Sequence, residues 1–255
     1  MRTFALLHGA ASDGWYWHLV TPRLEAAGHE VVAVDLPVED EAADFLAYAD
    51  TVVDALAERT GVVVVAQSLA GFVAPLVAAR RPVDLLVLVA AMTPRPGESG
   101  GEWWQAVGQA EAARSMAVAE GRDPDDGSPE TIFLHDVPTE LWAPSGAHTK
   151  GQSARPFADP WPLDRWPDVP TRFLLCRDDR MFPPDLQRRV VRERLGLEPD
   201  DLPGGHLPAL AQPEALAERL LAYEAELSPR SSGGSTAPGR PAPSAPPSPP
   251  GGRGR

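Results

Sequence analysis

Four short apolar runs mark the first 90 residues, and amphipathic stretches lie between them. We predict β-strands at Thr3–Leu7, Val31–Val34, Val62–Ala66 and Leu85–Val89, and helices at Trp15–Ala27, Glu41–Arg59 and Leu69–Arg80. The run at 62–66 is apolar without interruption, which is typical of a strand buried on both faces of a parallel sheet. Strands that alternate with helices predict an α/β fold with a mostly parallel sheet flanked by helices.

The alternation stops after Met92 and resumes at Thr171. Residues 93–170 carry five of the seven tryptophans, and we predict helices at Glu98–Gly121 and Pro138–Ala147 within them. A strand at Thr171–Cys176 and helices at Pro184–Leu195 and Pro213–Leu227 then complete the pattern. We therefore predict a core formed by residues 1–92 and 171–227, with residues 93–170 inserted as a helical cap.

Residues 228–255 have a different composition from the rest of the chain. They contain eight prolines mixed with glycine and serine, and their only aliphatic side chains are alanines. Such a segment cannot bury enough apolar surface to offset the entropy of ordering. We predict that this tail is disordered.

The charge and cysteine content limit the classes of partner. With 23 Lys and Arg against 36 Asp and Glu, the net charge is −13, which argues against nucleic acid as the main partner. The chain has no apolar run long enough to cross a membrane. Its one cysteine, Cys176, forms no internal disulfide, and its six histidines lack zinc-ligand spacing. We expect a cytoplasmic protein without metal, cofactor, nucleic-acid or membrane partner; its oligomeric state is left open.

Ser68 stands where the predicted strand ending at Ala66 meets the predicted helix starting near Leu69. A serine on a sharp strand-to-helix turn exposes its hydroxyl as a nucleophile. The residues two places before and after it must be small, and here both are alanine, Ala66 and Ala70, where glycine is usual. A serine in this place can also be an ordinary helix cap, so Ser68 alone does not decide between the two interpretations.

The loop after the first strand reads His8-Gly9-Ala10-Ala11. Such a loop can aim the Ala10 N–H at a developing oxyanion, and the Leu69 N–H, at the start of its helix, is the second candidate donor. We interpret His8 as an anchor of this loop and not as a catalytic base.

A base and a carboxylate are available at two further strand ends. A serine hydroxyl needs a base to take its proton, and the base needs a buried carboxylate to fix its tautomer. Asp178 and Asp179 follow the strand at 171–176, and His206 follows Gly204-Gly205 before the last helix. Both aspartates are candidates. Because the carboxyl ends of parallel strands share one edge of a sheet, we expect Ser68, one of these aspartates and His206 to meet there.

The segments LLHGAASDGWYW, EAAGHEVVAVDLP, RDDRMFPP and GGHLPAL carry a resemblance to a known family. Over residues 1 to 227 the chain resembles the α/β-hydrolase superfamily, in particular the small esterases that include plant methylesterases and hydroxynitrile lyases. The resemblance implies the α/β-hydrolase fold, Ser68 as nucleophile, His206 as base, Asp179 in preference to Asp178 as acid, and Ala10 and Leu69 as oxyanion donors. It also implies that residues 93–170 cover the active site. The two alanines around Ser68, and Gln67 where histidine is common, depart from the family pattern.

We therefore expect a serine hydrolase that cleaves an ester of a small or medium apolar substrate through an acyl-enzyme. One alternative is a hydroxynitrile-lyase-type C–C lyase with the same three residues. Such a lyase needs a positive group near the histidine, but Leu207 follows His206 here. The other alternative is a ligand-binding protein on this fold with little catalysis. Substrate-binding residues are not predicted, although Asp136 could reach the pocket from the cap.

Overall fold

The computed structural model describes residues 1–227. Six strands form a single sheet: β1 Thr3–Leu7, β2 Glu30–Val34, β3 Val62–Gln67, β4 Leu85–Val89, β5 Thr171–Cys176 and β6 Asp200–Leu202. The helices are α1 Thr21–Ala26, α2 Phe45–Leu56, α3 Ala74–Arg80, α4 Gly100–Ala106, α5 Gln109–Ala119, α6 Pro129–Ile132, α7 Trp142–Ala147, α8 Arg155–Ala158, α9 Pro184–Leu195, α10 Pro208–Ala211 and α11 Pro213–Glu226. Short 3-10 helices lie at Gly14–Trp17, Ser68–Phe72 and Thr139–Leu141.

All neighbouring strands of the sheet are parallel, in the order β2-β1-β3-β4-β5-β6. β3 lies inside the sheet and is buried on both faces: Val62 and Val64 pack on one side, and Val63 and Val65 on the other. Helices α2, α3 and α9 cover the first side, and α1, α10 and α11 cover the second. The predicted α/β architecture, a parallel sheet between helices, is confirmed.

The predicted strands agree closely with the structure. β1, β4 and β5 have the predicted bounds, while β2 and β3 each extend one residue beyond the prediction. β6 was not predicted. It has only three residues, two of them acidic, and pairs at the edge of the sheet with β5. A segment so short and polar has no apolar pattern of its own.

Several predicted helices are shorter than expected or divided. The stretch Trp15–Ala27 forms the 3-10 helix at 14–17 and then α1, since Pro22 cannot donate the N–H that a continuous helix needs. The stretch Leu69–Arg80 is divided in the same way before Pro75. Glu41–Arg59 is helical only as α2, which begins after Asp44 because the Asp44 carboxylate accepts a hydrogen bond from the Ala47 N–H.

The predicted cap helices are also divided. Gly108 has a φ of +67°, which separates α4 from α5 within the predicted helix Glu98–Gly121. The stretch Pro138–Ala147 begins as the 3-10 helix at 139–141 and continues as α7. The last predicted helix is confirmed as α11, which ends one residue before Leu227. The predicted disordered tail, residues 228–255, lies outside the described residues.

Residues 93–170, here called the insertion, add helices α4–α8 between β4 and β5. Trp161 and Trp103 of the insertion are each 2% exposed. The Trp161 indole N–H donates to the Phe72 carbonyl over 3.0 Å, and the Trp103 indole N–H donates to the Thr93 carbonyl over 3.2 Å. Both tryptophans pack in the hydrophobic cluster on one side of the sheet. The Trp161 hydrogen bond links the insertion to Phe72, whereas the Trp103 hydrogen bond lies within the insertion. The division into core, cap and tail stays a prediction.

Within residues 1–227, no helix combines the length and the apolar character needed to cross a membrane.

Candidate active site

Ser68 lies on a tight turn at the carboxyl end of β3. Its φ is +53°, a left-handed conformation that is rare for residues other than glycine. Ala66 and Ala70, two places to either side, are buried at 0% and 1% exposure. The Ser68 carbonyl accepts a hydrogen bond from the Met92 N–H over 2.9 Å, which ties the turn to the segment after β4. Alanine is thus small enough for this turn.

His206 lies on the loop between β6 and α10, with its imidazole directed at Ser68. The distance from His206 Nε2 to Ser68 Oγ is 3.0 Å, and that from His206 Nδ1 to Asp179 Oδ2 is 2.9 Å. The imidazole and the Phe182 ring pack perpendicular to each other, with 4.9 Å between ring centroids and an angle of 90°. The three predicted side chains therefore form one continuous hydrogen-bonded chain.

Asp179 is fully buried just beyond the end of β5. Its Oδ1 accepts hydrogen bonds from the Met181 and Phe182 N–H groups, each over 2.8 Å. Gln187 Nε2 lies 3.4 Å from Oδ2, the oxygen that also contacts His206. These donors replace the water that a buried carboxylate loses, and they fix the orientation of the carboxylate toward the imidazole.

Asp178 occupies a different position from its neighbour. Its N–H donates to the Gly204 carbonyl, and its Oδ2 accepts from the Gly204 N–H, each over 3.0 Å. Asp178 thus holds the backbone of the loop that carries His206, whereas Asp179 contacts the imidazole. Of the two candidates left open by the sequence motif, Asp179 has the geometry of the triad acid.

The loop after β1 lies against the turn of Ser68. A Cβ atom added to Gly9 would lie 2.9 Å from Ser68 Cβ and 2.4 Å from Gln67 Oε1, so this close approach requires glycine. The Ala10 N–H has no acceptor among residues 1–227. Leu69 is the second residue of a 3-10 helix, and the first amides of a helix have no partner within it. Both predicted oxyanion donors therefore carry uncommitted N–H groups beside the serine turn.

His8 is buried, and both of its ring nitrogens are engaged. Nδ1 lies 2.8 Å from the Gly9 carbonyl, and Nε2 accepts a hydrogen bond from the Leu36 N–H over 3.1 Å. These partners require the neutral tautomer with the proton on Nδ1. Burial lowers the pKa of His8, although the nearby Gly9 carbonyl and the Asp35 and Asp13 carboxylates oppose this effect. The structure agrees with the interpretation of His8 as a loop anchor.

The sequence motifs gave no supporting role to Gln67 or Gln187, whereas Asp136 was expected to be able to reach the pocket from the cap. Gln67 is 2% exposed, and its Nε2 donates to the His206 carbonyl over 2.9 Å. Gln187 supports Asp179, as described above. Asp136 contacts the His206 loop from the insertion. Gln67 and Gln187 lack a distinctive pattern in the sequence, and only the position of Gln67 beside Ser68 could have drawn attention to it.

Within the described part of the chain, no group of three or more His, Cys, Asp or Glu side chains is arranged to hold a metal ion. Cys176, at the end of β5, is buried, and burial raises the pKa of its thiol well above the usual value. A thiol with a raised pKa is a poor nucleophile at neutral pH.

Comparison with known proteins finds relatives that cover most of this chain. The pyrethroid hydrolase of Sphingobium wenxiniae is 28% identical over 238 residues, which cover 84% of this chain and 85% of the relative. Methyl jasmonate esterase 1 of Vitis vinifera is 25% identical over 248 residues, covering 86% and 95%. The crystal structure of a pyrethroid hydrolase from Sphingobium faniae JZ-2 superposes with a TM-score of 0.71 at 26% identity, over 88% of this chain and 98% of that one.

The model of the alpha/beta hydrolase family matches residues 4–219, which include Ser68, Asp179 and His206. The resemblance inferred from the sequence motifs and the predicted α/β-hydrolase fold are confirmed. This chain belongs to the alpha/beta hydrolase family.

Proposed function

We propose that this protein is a serine hydrolase that cleaves an ester of a small or medium apolar acid or alcohol. One observation carries the proposal: Ser68 Oγ lies 3.0 Å from His206 Nε2, and His206 Nδ1 lies 2.9 Å from the buried Asp179 carboxylate. Both distances are within the range in which an imidazole can take a proton from a hydroxyl while a carboxylate orients it.

In the first half of the reaction, Ser68 Oγ attacks the ester carbonyl while His206 Nε2 takes the hydroxyl proton. Asp179 holds the proton on Nδ1 and stabilises the imidazolium that forms. The Ala10 and Leu69 N–H groups donate to the tetrahedral oxyanion. The C–O bond to the alcohol then breaks, and His206 returns the proton to the departing alkoxide, which leaves an acyl group on Ser68.

In the second half, His206 takes a proton from water, and the hydroxide attacks the acyl carbonyl. The collapse of the second tetrahedral intermediate breaks the bond to Ser68 Oγ, which regains a proton from His206. The products are one acid and one alcohol for each ester and water consumed. Apart from the ester and water, these steps use only groups of the chain itself.

The substrate class rests on the surroundings of the site and on the relatives. Phe182 and Phe133 flank the imidazole, with ring centroids 4.9 Å and 5.7 Å from that of His206, so the base has apolar neighbours. A relative named pyrethroid hydrolase and another named methyl jasmonate esterase support hydrolysis of an ester by this chain. We infer an apolar ester and leave its acid and alcohol parts to experiment.

The test uses short p-nitrophenyl esters with the wild-type protein and Ser68→Ala. We expect wild-type turnover and a loss of at least about 10⁴-fold in kcat for Ser68→Ala, because the nucleophile is removed. Ser115→Ala is the matched control, since it makes the same change at an exposed position of α5 and should keep full activity. Unchanged turnover by Ser68→Ala would rule out this mechanism.

A fluorophosphonate probe with product analysis separates the remaining possibilities. An esterase binds the probe at Ser68 and releases acid from the ester. Cleavage of a cyanohydrin without ester hydrolysis would indicate the C–C lyase instead. Tight binding of an ester with no product and no labelling would indicate a ligand-binding protein on this fold.

A further inference from the structure

The loop that carries His206 is held by polar side chains at three successive residues. Asp178 makes two hydrogen bonds with the backbone of Gly204, and Gln67 donates to the carbonyl of His206. Between them, the Gly205 N–H donates to Asp136 Oδ2 over 2.6 Å. Gln67 is the last residue of β3 and Asp178 follows β5, whereas Asp136 belongs to the insertion. The insertion therefore contacts the backbone directly next to His206.

The two glycines of this loop allow the contact. A Cβ atom on Gly204 would lie 2.9 Å from Asp136 Oδ2, and Gly204 has a φ of +95°. A Cβ atom on Gly205 would lie 2.9 Å from Asp136 Oδ1 and 2.6 Å from His135 Cε1. Real Cβ atoms do not approach this closely, so larger residues at 204 or 205 would push Asp136 and His135 away. The Gly-Gly pair before His206 thus permits docking of the insertion.

The Asp136 carboxylate is largely buried, but few hydrogen bonds replace the water that it loses. Its side chain is 19% exposed, and its second oxygen, Oδ1, is buried without a hydrogen-bond partner in the described part of the chain. His135 Nε2 lies 4.0 Å from Oδ1, beyond hydrogen-bond distance, and both ring nitrogens of His135 also lack partners there. A buried carboxylate with a single hydrogen bond costs folding free energy. A contribution to stability alone therefore does not account for a carboxylate at this position.

We propose that Asp136 is a positioning residue for His206. It fixes the Gly205 peptide, and through that peptide it keeps His206 Nε2 within reach of Ser68 Oγ. The position of the insertion is thereby coupled to the geometry of the triad. The inference rests on the proposed function, because it gives His206 the role of base. Asp136 itself does not touch the reacting atoms.

Three variants test the proposal on a p-nitrophenyl ester that the wild type hydrolyses. For Asp136→Ala we expect kcat to fall about 10- to 100-fold with KM changed less than about threefold, because the base is misplaced while the pocket persists. Asp136→Asn keeps an acceptor oxygen for the Gly205 N–H and should recover most of this loss. Titration with a fluorophosphonate counts intact sites, so that unfolded protein does not lower the apparent kcat.

Asp126→Ala is the matched control. Asp126 is another carboxylate of the insertion, and it accepts hydrogen bonds from the Ser128 N–H and the Thr131 hydroxyl, both within the insertion. Its loss should leave kcat per titrated site unchanged. An equal fall in kcat for Asp126→Ala and Asp136→Ala would overturn the proposal, as would wild-type kcat in Asp136→Ala.

Proton NMR supplies a measurement that does not depend on turnover. The His206 Nδ1 proton bonded to Asp179 should give a low-field signal in the wild type. We expect this signal to shift or broaden in Asp136→Ala and to persist in Asp136→Asn and Asp126→Ala. An unchanged signal in Asp136→Ala overturns the positioning role even if the wild type hydrolyses no ester. Absence of wild-type hydrolysis together with a changed signal would overturn the proposed function alone.

Discussion

At the scale of single residues, adjacent aspartates have different environments. Asp179 turns inward, accepts two backbone hydrogen bonds through Oδ1 and contacts His206 through Oδ2. Asp178 binds the backbone of Gly204. The two residues lie in the turn after β5, in which the Asp179 N–H donates to the Cys176 carbonyl over 3.3 Å and the Asp178 N–H to the Gly204 carbonyl. One side chain orients the imidazole, and the other orients the loop that carries it.

This division of roles predicts unequal effects of the same substitution. Asp179→Asn should lower kcat by about 10³- to 10⁴-fold, because an amide at this position favours the wrong tautomer of His206. Asp178→Asn keeps an acceptor oxygen for the Gly204 N–H, and its kcat should fall less than about tenfold. Steady-state kinetics on a p-nitrophenyl ester compares kcat of the two variants. Equal losses would contradict the assignment of Asp179 as the triad acid.

The lowered pKa of buried His8 predicts that the stability of the folded protein depends on pH. Burial lowers its pKa in the folded protein below the ordinary value of 6.5, so the unfolded chain binds the proton more readily. The contribution of neutral His8 to folding is therefore complete above about pH 6.5 and is lost as the pH falls toward the lowered folded-state pKa. The melting temperature of the wild type should fall more steeply than that of His8→Asn between pH 7 and pH 5. Parallel curves would show that His8 has no such role.

At the scale of elements, the serine turn is fixed by its contact with the segment after β4. A Cβ atom on Gly71, in the 3-10 helix that starts at Ser68, would lie 1.9 Å from the Met92 carbonyl oxygen. The Met92 N–H also donates to the Ser68 carbonyl. The chain after β4 therefore presses directly on the turn, and only glycine fits at position 71.

Gly71→Ala should destabilise the protein by about 1–3 kcal/mol or more and should slow labelling of Ser68 by a fluorophosphonate, because the added methyl group displaces the turn. Gly146→Ala in α7 is the matched control, since nothing lies within 4 Å of its added Cβ atom. That change should stabilise the protein by about 0.5–1 kcal/mol or leave it unchanged. Urea unfolding measures both effects, and a Gly71→Ala protein of wild-type stability would refute the close contact.

At the scale of the whole molecule, the insertion contacts the loops of the sheet edge at several places. The Lys150 N–H donates to the Ala11 carbonyl, and Gln152 Oε1 accepts from the Ala11 N–H, so the insertion holds the loop next to Ala10. Asp136 holds the loop of His206. Trp161 holds the end of the serine turn through the Phe72 carbonyl. These hydrogen bonds link the insertion to three of the four segments that carry the proposed catalytic groups: the loop after β1, the serine turn and the His206 loop.

Trp161→Phe tests this docking. The change removes the donor to the Phe72 carbonyl and leaves a buried acceptor unpaired, which should cost about 1–3 kcal/mol of unfolding free energy. Trp104→Phe is the control, because the Trp104 indole nitrogen has no hydrogen-bond partner among the residues described. The unfolding free energy should therefore fall less in Trp104→Phe than in Trp161→Phe. Urea unfolding followed by far-ultraviolet circular dichroism compares the two variants, and a larger loss for Trp104→Phe would contradict the anchoring role of Trp161.

The sequence predicted most of the core because the signals there are local. Uninterrupted apolar runs identify strands such as β4, and the boundaries of α9 follow from Pro184 and Gly196 at its two ends. Prediction was poorer where distant contacts or prolines decide the outcome. Pro22 and Pro75 divide helices whose apolar spacing is continuous, and β6 depends on its pairing with β5.

Ser68, His206 and the two aspartates could be found from the sequence because a strained turn, a glycine-flanked loop and a strand end each leave a local pattern around the reactive side chain. The family resemblance favoured Asp179 over Asp178, but the contacts that distinguish the two aspartates, and the supporting contacts of Gln67 and Asp136, depended on tertiary structure. These groups act on backbone or side-chain atoms that are far away along the chain, and their directions are set by how the sheet edge and the insertion pack together. Local patterns therefore determined the kinds of reactive group, whereas long-range packing decided their orientation and what holds them in place.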